Sequence, residues 1–407
     1  MKSTITFKPL QWFAMLAILI SMLFSISGCD SDITADSTTK TTTLSKSATY
    51  PSEGMYPVDW PPVGHNLMDT TDNQQIGGFG GDSEKLRNQH MISRRPVILI
   101  HGSGGTAASS PWGFQQLVSK LLDAGYKKDE IWAISYFPEV RPIYINQISE
   151  NVDDVRRWIA AVMDYCNVDK VDIIAHGSGA SLERGWIEGY SRDKRFTEAI
   201  ERDKVGTVIL LGGINYGFKE GIDEFDPNHI FYQTVNQYDR VTAVNYIAVR
   251  SIGDLVDKNS PYQAPTPPGF SEPSTSFLIG AVQNFEFNLS AELLGSQWPP
   301  ETNKHINLIK DVMVFNNAIN PFLTVQEVTF DPATDTTFEN SLVVKMTVKG
   351  YESAKFEAKD ENGNVIMEGI ANPNGTTTVT ITASCQITVY VTKDNMDSYI
   401  PFHSPQY

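Results

Sequence analysis

Two short runs in this chain carry residue types that could build an acyl-transfer site. In Val171-Asp172-Ile173-Ile174-Ala175-His176-Gly177-Ser178-Gly179-Ala180, a β-branched strand ends, turns sharply and gives way to helix-compatible sequence from Ser181 onward. This is the pattern of a nucleophile elbow, which needs small residues two before and two after the attacking side chain. With Ala175 and Gly179 in those positions, the nucleophile position falls on Gly177. Glycine adopts the positive φ of such a turn at no steric cost, but it brings no attacking atom. Shifting the register by one makes Ser178 the alternative nucleophile and puts His176 and Ala180 in the small positions. An imidazole packs poorly at that tight inner bend. The bland reading of the same residues is a Gly-rich turn between a parallel strand and a helix.

The second run is Pro96-Val97-Ile98-Leu99-Ile100, followed by His101-Gly102-Ser103-Gly104-Gly105. Its continuous apolar character predicts a strand buried on both faces. A His-Gly at such a strand end supplies one backbone N–H of an oxyanion hole, and the residue after the nucleophile supplies the other. Those donors are Ser103 and Ser178 in this chain.

With these motifs in hand, the chain resembles the bacterial class 2 lipases over roughly residues 94 to 320. That family is similar in its HGxGG strand end and its VDIVAHSxGG elbow, with serine where this chain has Gly177. The resemblance extends to Val208-Ile209-Leu210-Leu211-Gly212-Gly213, the strand that follows the elbow. It implies that Asp254, after Tyr246 to Gly253, is the triad acid, and that His305, in a late loop before a final helix, is the base. In a triad the imidazole takes the serine proton and the carboxylate fixes the imidazole tautomer. Without an oxygen at position 177, Asp254 and His305 could activate a water, forfeiting the covalent intermediate. Read bottom-up, Asp254 could also merely cap a loop, and His305 could be an ordinary surface histidine.

The elements that must position these groups follow from periodicity. Helix is predicted over Phe114 to Ala124, stopped by Gly125, and over Asn151 to Tyr165, where Val152, Val155, Ile159 and Val162 recur at spacings of three and four. Strand is predicted from Glu130 to Tyr136. Together with the resemblance, this gives an α/β-hydrolase fold, a mostly parallel sheet flanked by helices, over residues 51-321. The segment from Tyr50 to Arg94 has little periodicity and reads as an ordered arm. Insertions at Asn215 to Arg240 and from Ser260 toward Trp298 are expected at the C-terminal sheet edge. There Tyr216, Phe218, Phe225, Phe231 and Tyr232 either line an apolar cleft or form a packed loop core. From residue 322 to 407 short alternating segments separated by turn signals predict a small all-β sandwich domain.

The N-terminus reads as an export signal: Lys2 and Lys8, an apolar stretch from Trp12 to Phe24, then Ile26-Ser27-Gly28-Cys29. The last four resemble a bacterial lipobox, which implies lipidation at Cys29, a signal peptide over 1-29 and a flexible Ser/Thr-rich tether over 30-50. The expected location is the bacterial cell envelope, lipid-anchored outside the cytoplasm. Cys166 and Cys385 are expected as two separately buried thiols. A net charge of −16 over 407 residues disfavours a nucleic-acid partner. No Cys/His cluster has ligand spacing, so no metal or other cofactor is expected. Two functions remain open: a carboxylic-ester hydrolase acting on lipid or polyester substrates, and a non-catalytic pseudohydrolase that binds acyl or ester ligands.

Overall fold

The fold is described by a computed structural model covering residues 50–68, 75–89, 92, 94–136, 148–218, 223–258, 265–267, 269–270, 272–293, 297–323, 327–332, 342–349, 355–370, 372, 376–383, 387–393 and 396–403. Cys29, the export signal, the tether up to residue 49 and Cys385 lie outside these residues. Among the described residues, the larger sheet contains β1 (Gly77–Gly80), β2 (Val97–Ile100), β3 (Ile131–Ser135), β4 (Val171–His176), β5 (Val205–Leu211), β6 (Asn245–Ser251) and β7 (Gln283–Phe287). Their spatial order is β1-β3-β2-β4-β5-β6-β7. Only β1 runs antiparallel; every other neighbouring pair is parallel. This is the α/β-hydrolase arrangement expected from the sequence.

Burial on both faces explains the continuous apolar strands. Along β2, Val97 and Leu99 join one apolar cluster while Ile98 and Ile100 join another. Helix α1 (Gln115–Asp123) packs Leu117, Val118 and Leu121 into the first cluster, with Leu308 to Leu323 beside it. Helices α2 (Ile148–Cys166) and α3 (Gly179–Ile187) pack into the second through Val152, Val155, Ile159, Leu182 and Trp186. Gly125 stops α1 with a φ of +90°. The buried Cys166 is a free thiol.

Two expectations need amendment, and one open alternative is decided. The N-terminal arm contributes β1, a Gly-Gly-Phe-Gly strand whose composition hides it from a β-propensity reading. The arm also lays Trp60 against Trp132, with ring centroids 4.8 Å apart, and edge-on to Trp158 and Tyr165. The Pro-rich stretch after residue 260 contains β7. The insertion aromatics Phe225, Phe231 and Tyr232 are buried in the core, with Tyr216 and Phe218 packed against it, so the packed-core reading holds.

In the C-terminal region, β8 (Glu327–Pro332), β9 (Leu342–Lys349), β10 (Lys355–Lys359), β11 (Val365–Ile370), β12 (Thr376–Ala383), β13 (Thr388–Lys393) and β14 (Met396–His403) follow. They form antiparallel sheets ordered β11-β10-β13-β14 and β12-β9-β8. The β-branched Thr and Val residues of β12 and β13 suit strand formation. Among the described residues, no helix is long and apolar enough to cross a membrane.

Candidate active site

Strand β4 ends at His176, and the chain reverses through Gly177, whose φ is +56°. The Gly177 N–H donates to the Leu211 carbonyl at 3.0 Å, pinning the turn to the end of β5. Gly179 then opens α3 in a place only glycine fits: a Cβ there would stand 2.5 Å from the His101 carbonyl oxygen and 2.6 Å from that of Ile100. Close approach of α3 to the end of β2 therefore depends on the second small residue of the motif.

A Cβ at position 177 would point between two groups. It would lie 3.1 Å from His305 Nε2 and 3.6 Å from the Gly102 Cα. His305 Nδ1 in turn lies 3.3 Å from Asp254 Oδ2. Asp254 is fully buried and His305 is 5% exposed. The structure thus brings Gly177, His305 and Asp254 into one line, with the ring's second nitrogen turned to the empty side-chain direction of the elbow. Ser178 is placed differently. Its Oγ is 2.7 Å from Ser103 Oγ, and it makes no hydrogen bond to His305. The backbone N–H groups of Ser103 and Ser178 donate no hydrogen bond to any described residue. Two unspent N–H donors flanking the elbow can receive an oxyanion.

His305 is held from several directions. The sequence reading set His305 in a loop; it lies instead within helix α5 (Pro300–Asn307), which begins with Pro at its first turn, a position that needs no N–H donor. Asn303 and Asn307, one turn apart, donate to the carbonyls of Ala291, Trp298, Ser290 and Glu292 and fix the helix against the preceding loop. Behind the ring stands Gly212, with φ +56°, where a Cβ would be 2.6 Å from His305 Cε1. The His176 ring sits 4.3 Å from the His305 ring, and His176 Nε2 donates to the His305 carbonyl at 3.1 Å. Burial and the neighbouring His305 push the His176 pKa well below its usual value, so it stays neutral and serves as packing. His101 is likewise buried, titrates at about 4 because of desolvation, and stacks on Tyr136 at 4.2 Å.

Asp254 is placed for both roles that the sequence leaves open. Its Oδ2 faces His305, while its Oδ1 accepts the Asp257 N–H at 2.8 Å and caps the short helix α4 (Leu255–Lys258). Two lysines that the sequence does not single out join the turn of Asp254 to the helix of His305. Lys304 Nζ donates to the Ile252 carbonyl at 2.9 Å, and Lys258 pairs with Glu301 at 3.0 Å. Lys304 is adjacent to the base in sequence, but nothing in its spacing announces a carbonyl partner 52 residues away. No cluster of three or more His, Cys, Asp or Glu side chains among the described residues could hold a metal.

Residues 94–239 match the family model for lipase (class 2), which makes this segment lipase/esterase-like hydrolase sequence. Similar solved structures include a lipase-esterase related protein from Clostridium acetobutylicum, at 15% identity and TM-score 0.31, covering 60% of this chain and 97% of that one. An alpha-beta serine hydrolase homologue from Coxiella burnetii is 14% identical over 60% of this chain and 92% of its own, at TM-score 0.33. A bromoperoxidase from Bacillus anthracis is 12% identical over 58% and 98%, at TM-score 0.33.

Proposed function

We propose that this protein is a carboxylic-ester hydrolase of the lipase/esterase type, acting on lipid or polyester substrates, in which His305 activates water directly. What supports this reading most is the side-chain direction of Gly177, aimed at His305 Nε2 with no atom of its own to present. Water beside Nε2 gives its proton to the imidazole as its oxygen attacks the ester carbonyl carbon. Asp254 holds the Nδ1–H tautomer and stabilises the imidazolium. The carbonyl oxygen gains negative charge against the Ser103 and Ser178 N–H groups. Collapse of the tetrahedral species breaks the C–O bond, and Nε2 returns its proton to the leaving alkoxide. The products are one acid and one alcohol, without an acyl-enzyme.

The test is hydrolysis of short p-nitrophenyl esters by the purified protein, with His305→Ala and Asp254→Asn beside it. Slow, burst-free turnover that both substitutions abolish is the expected result. No turnover in wild type, with saturable binding of the same esters, would leave a non-catalytic acyl binder in its place.

We further propose that Cys29 carries a lipid that holds the protein at the bacterial envelope, outside the cytoplasm. The support is the Ile26-Ser27-Gly28-Cys29 run after an apolar stretch. Each buried acyl methylene contributes about 0.8 kcal/mol, so more than one chain is needed for stable attachment. Wild type should partition into detergent and take up labelled fatty acid; a Cys29→Ala chain that matures normally and stays in the aqueous phase would refute the anchor.

A further inference from the structure

Resting on that reading of the site, we infer that Asp257 is a positioning residue for the Asp254–His305 pair. Asp257 lies three residues after the acid, and its carboxylate is held on every side. Its Oδ2 accepts the Gly253 N–H at 3.1 Å, and its Oδ1 accepts the Ser274 hydroxyl. Arg250 Nη1 stands 3.3 Å from Oδ2. Its own backbone N–H holds Asp254 Oδ1, leaving Oδ2 to face His305. The carboxylate therefore ties the residue before Asp254 to Ser274 and to the strand that leads there, while the backbone N–H of the same residue holds Asp254 itself.

The surroundings show that this clamp is built into the core. Arg250, on β6, is fully buried; it pairs also with Glu286 of β7 and lies over the Phe277 ring at 4.6 Å. Ser274, Thr275 and Ser276 are fully buried polar residues. Thr275 Oγ1 accepts the Tyr216 N–H and its carbonyl accepts that of Asn215, so the same segment grips the chain that leaves β5 beyond Gly212. The charged groups facing Asp257 are Asp254 and Arg250, with Glu286 beyond Arg250 and Lys258 next in sequence, paired to Glu301. Burial, and then the adjacent Asp254 charge, raise the Asp257 pKa to about 6, against the pull of Ser274, Arg250 and the Gly253 N–H. Two carboxylates crowd one turn, and the fold spends a buried arginine to keep them there.

The experiment follows the His305 ring itself, by NMR of the labelled imidazole in wild type, Asp257→Asn and Asp257→Ala, alongside ester hydrolysis. Asparagine keeps the shape and removes the charge, so the His305 pKa should fall while the Nδ1–H signal to Asp254 persists. Alanine keeps the backbone N–H to Asp254 but loses the carboxylate's hold on Gly253, Ser274 and Arg250, so the turn that carries Asp254 should loosen and that signal should weaken. Where wild type hydrolyses esters, kcat should drop by about 10²-fold for a displacement near 1 Å, with KM little changed. A His305 pKa unaltered in Asp257→Asn would overturn the inference, whatever happens to thermal stability. If alanine fails to fold, the asparagine variant decides alone. Absence of any wild-type hydrolysis would instead refute the proposed function, and the NMR result would still judge Asp257.

Discussion

Restoring a hydroxyl at position 177 is the sharpest perturbation this structure offers. In Gly177→Ser the new Cβ stands 3.1 Å from His305 Nε2, so the ring must retreat by a few tenths of an ångström. Gly212, having no side chain, leaves the ring the space for that retreat. The serine also inherits a φ of +56°, which costs a non-glycine residue roughly 1–2 kcal/mol. The variant should therefore melt a few degrees lower, about 2–4 °C per kcal/mol for a domain of this size. Its activity should move the other way. Removing the nucleophile from a complete serine triad costs about 10⁶ in kcat. A ring misplaced by as much as 1 Å returns about 10² of that. The balance is a gain on the order of 10⁴ over wild type, with a burst of p-nitrophenol as acyl-enzyme accumulates. Stopped-flow hydrolysis of p-nitrophenyl acetate, with mass spectrometry of the acylated protein, measures both. Wild type already as fast as the variant, or a variant that never acylates, would refute the assignment of position 177. Ser178→Ala in the Gly177→Ser background should keep most of the gain, because only the backbone N–H of residue 178 is asked to act.

Gly212→Ala in the same background should erase the burst. Its Cβ would meet His305 Nδ1 at 2.7 Å and Leu308 Cδ1 at 2.8 Å, again at φ +56°; unchanged acylation would show that His305 is not confined from behind. Acid stability should depend on His101, whose folded pKa of about 4 is below its usual 6.5 because burial disfavours the imidazolium. A depressed folded pKa gives stability that is present above the unfolded value and is lost as pH falls through the folded one. Urea midpoints should drop between pH 6.5 and 4, His101 alone accounting for about 3 kcal/mol at most. His101→Gln should flatten that slope without removing it, since His176 is depressed too; an unchanged slope would contradict the assignment.

What could be read from the sequence follows what is local in the chain. The elbow, the β2 turn and the two long helices announce themselves because their patterns are set by neighbours within a few residues. The strand β4 spans Val171–His176, and α2 extends the expected Asn151 to Tyr165 helix only to Ile148–Cys166. The position of Asp254 is legible only through resemblance, and its double bonding to His305 and Asp257 is set by the tertiary fold. β1 was invisible because three of its four residues are glycine; its strand state is imposed by pairing with β3, from Gly77 opposite Ser135 to Gly80 opposite Trp132. The helix around His305 was obscured by Pro299 and Pro300, which break helices in the interior but are tolerated at the start. Arg250 and Asp257, from the end of β6 and the turn after it, form one cluster with Ser274 from a separate stretch, and no spacing rule brings Ser274 to Asp257.

The Trp60 stack has a consequence for the order in which the chain comes together. Its partners Trp132, Trp158 and Tyr165 are synthesised about 70 to 105 residues after it. The arm emerges first but has nothing to dock on until β3 and α2 exist, so its aromatic side chains travel unburied through early translation and any export step. Closing so long a loop is slow relative to local helix formation. Docking of the arm is therefore expected after local helix formation, and tryptophan emission, altered when Trp60 meets Trp132, would time it against the growth of helical signal.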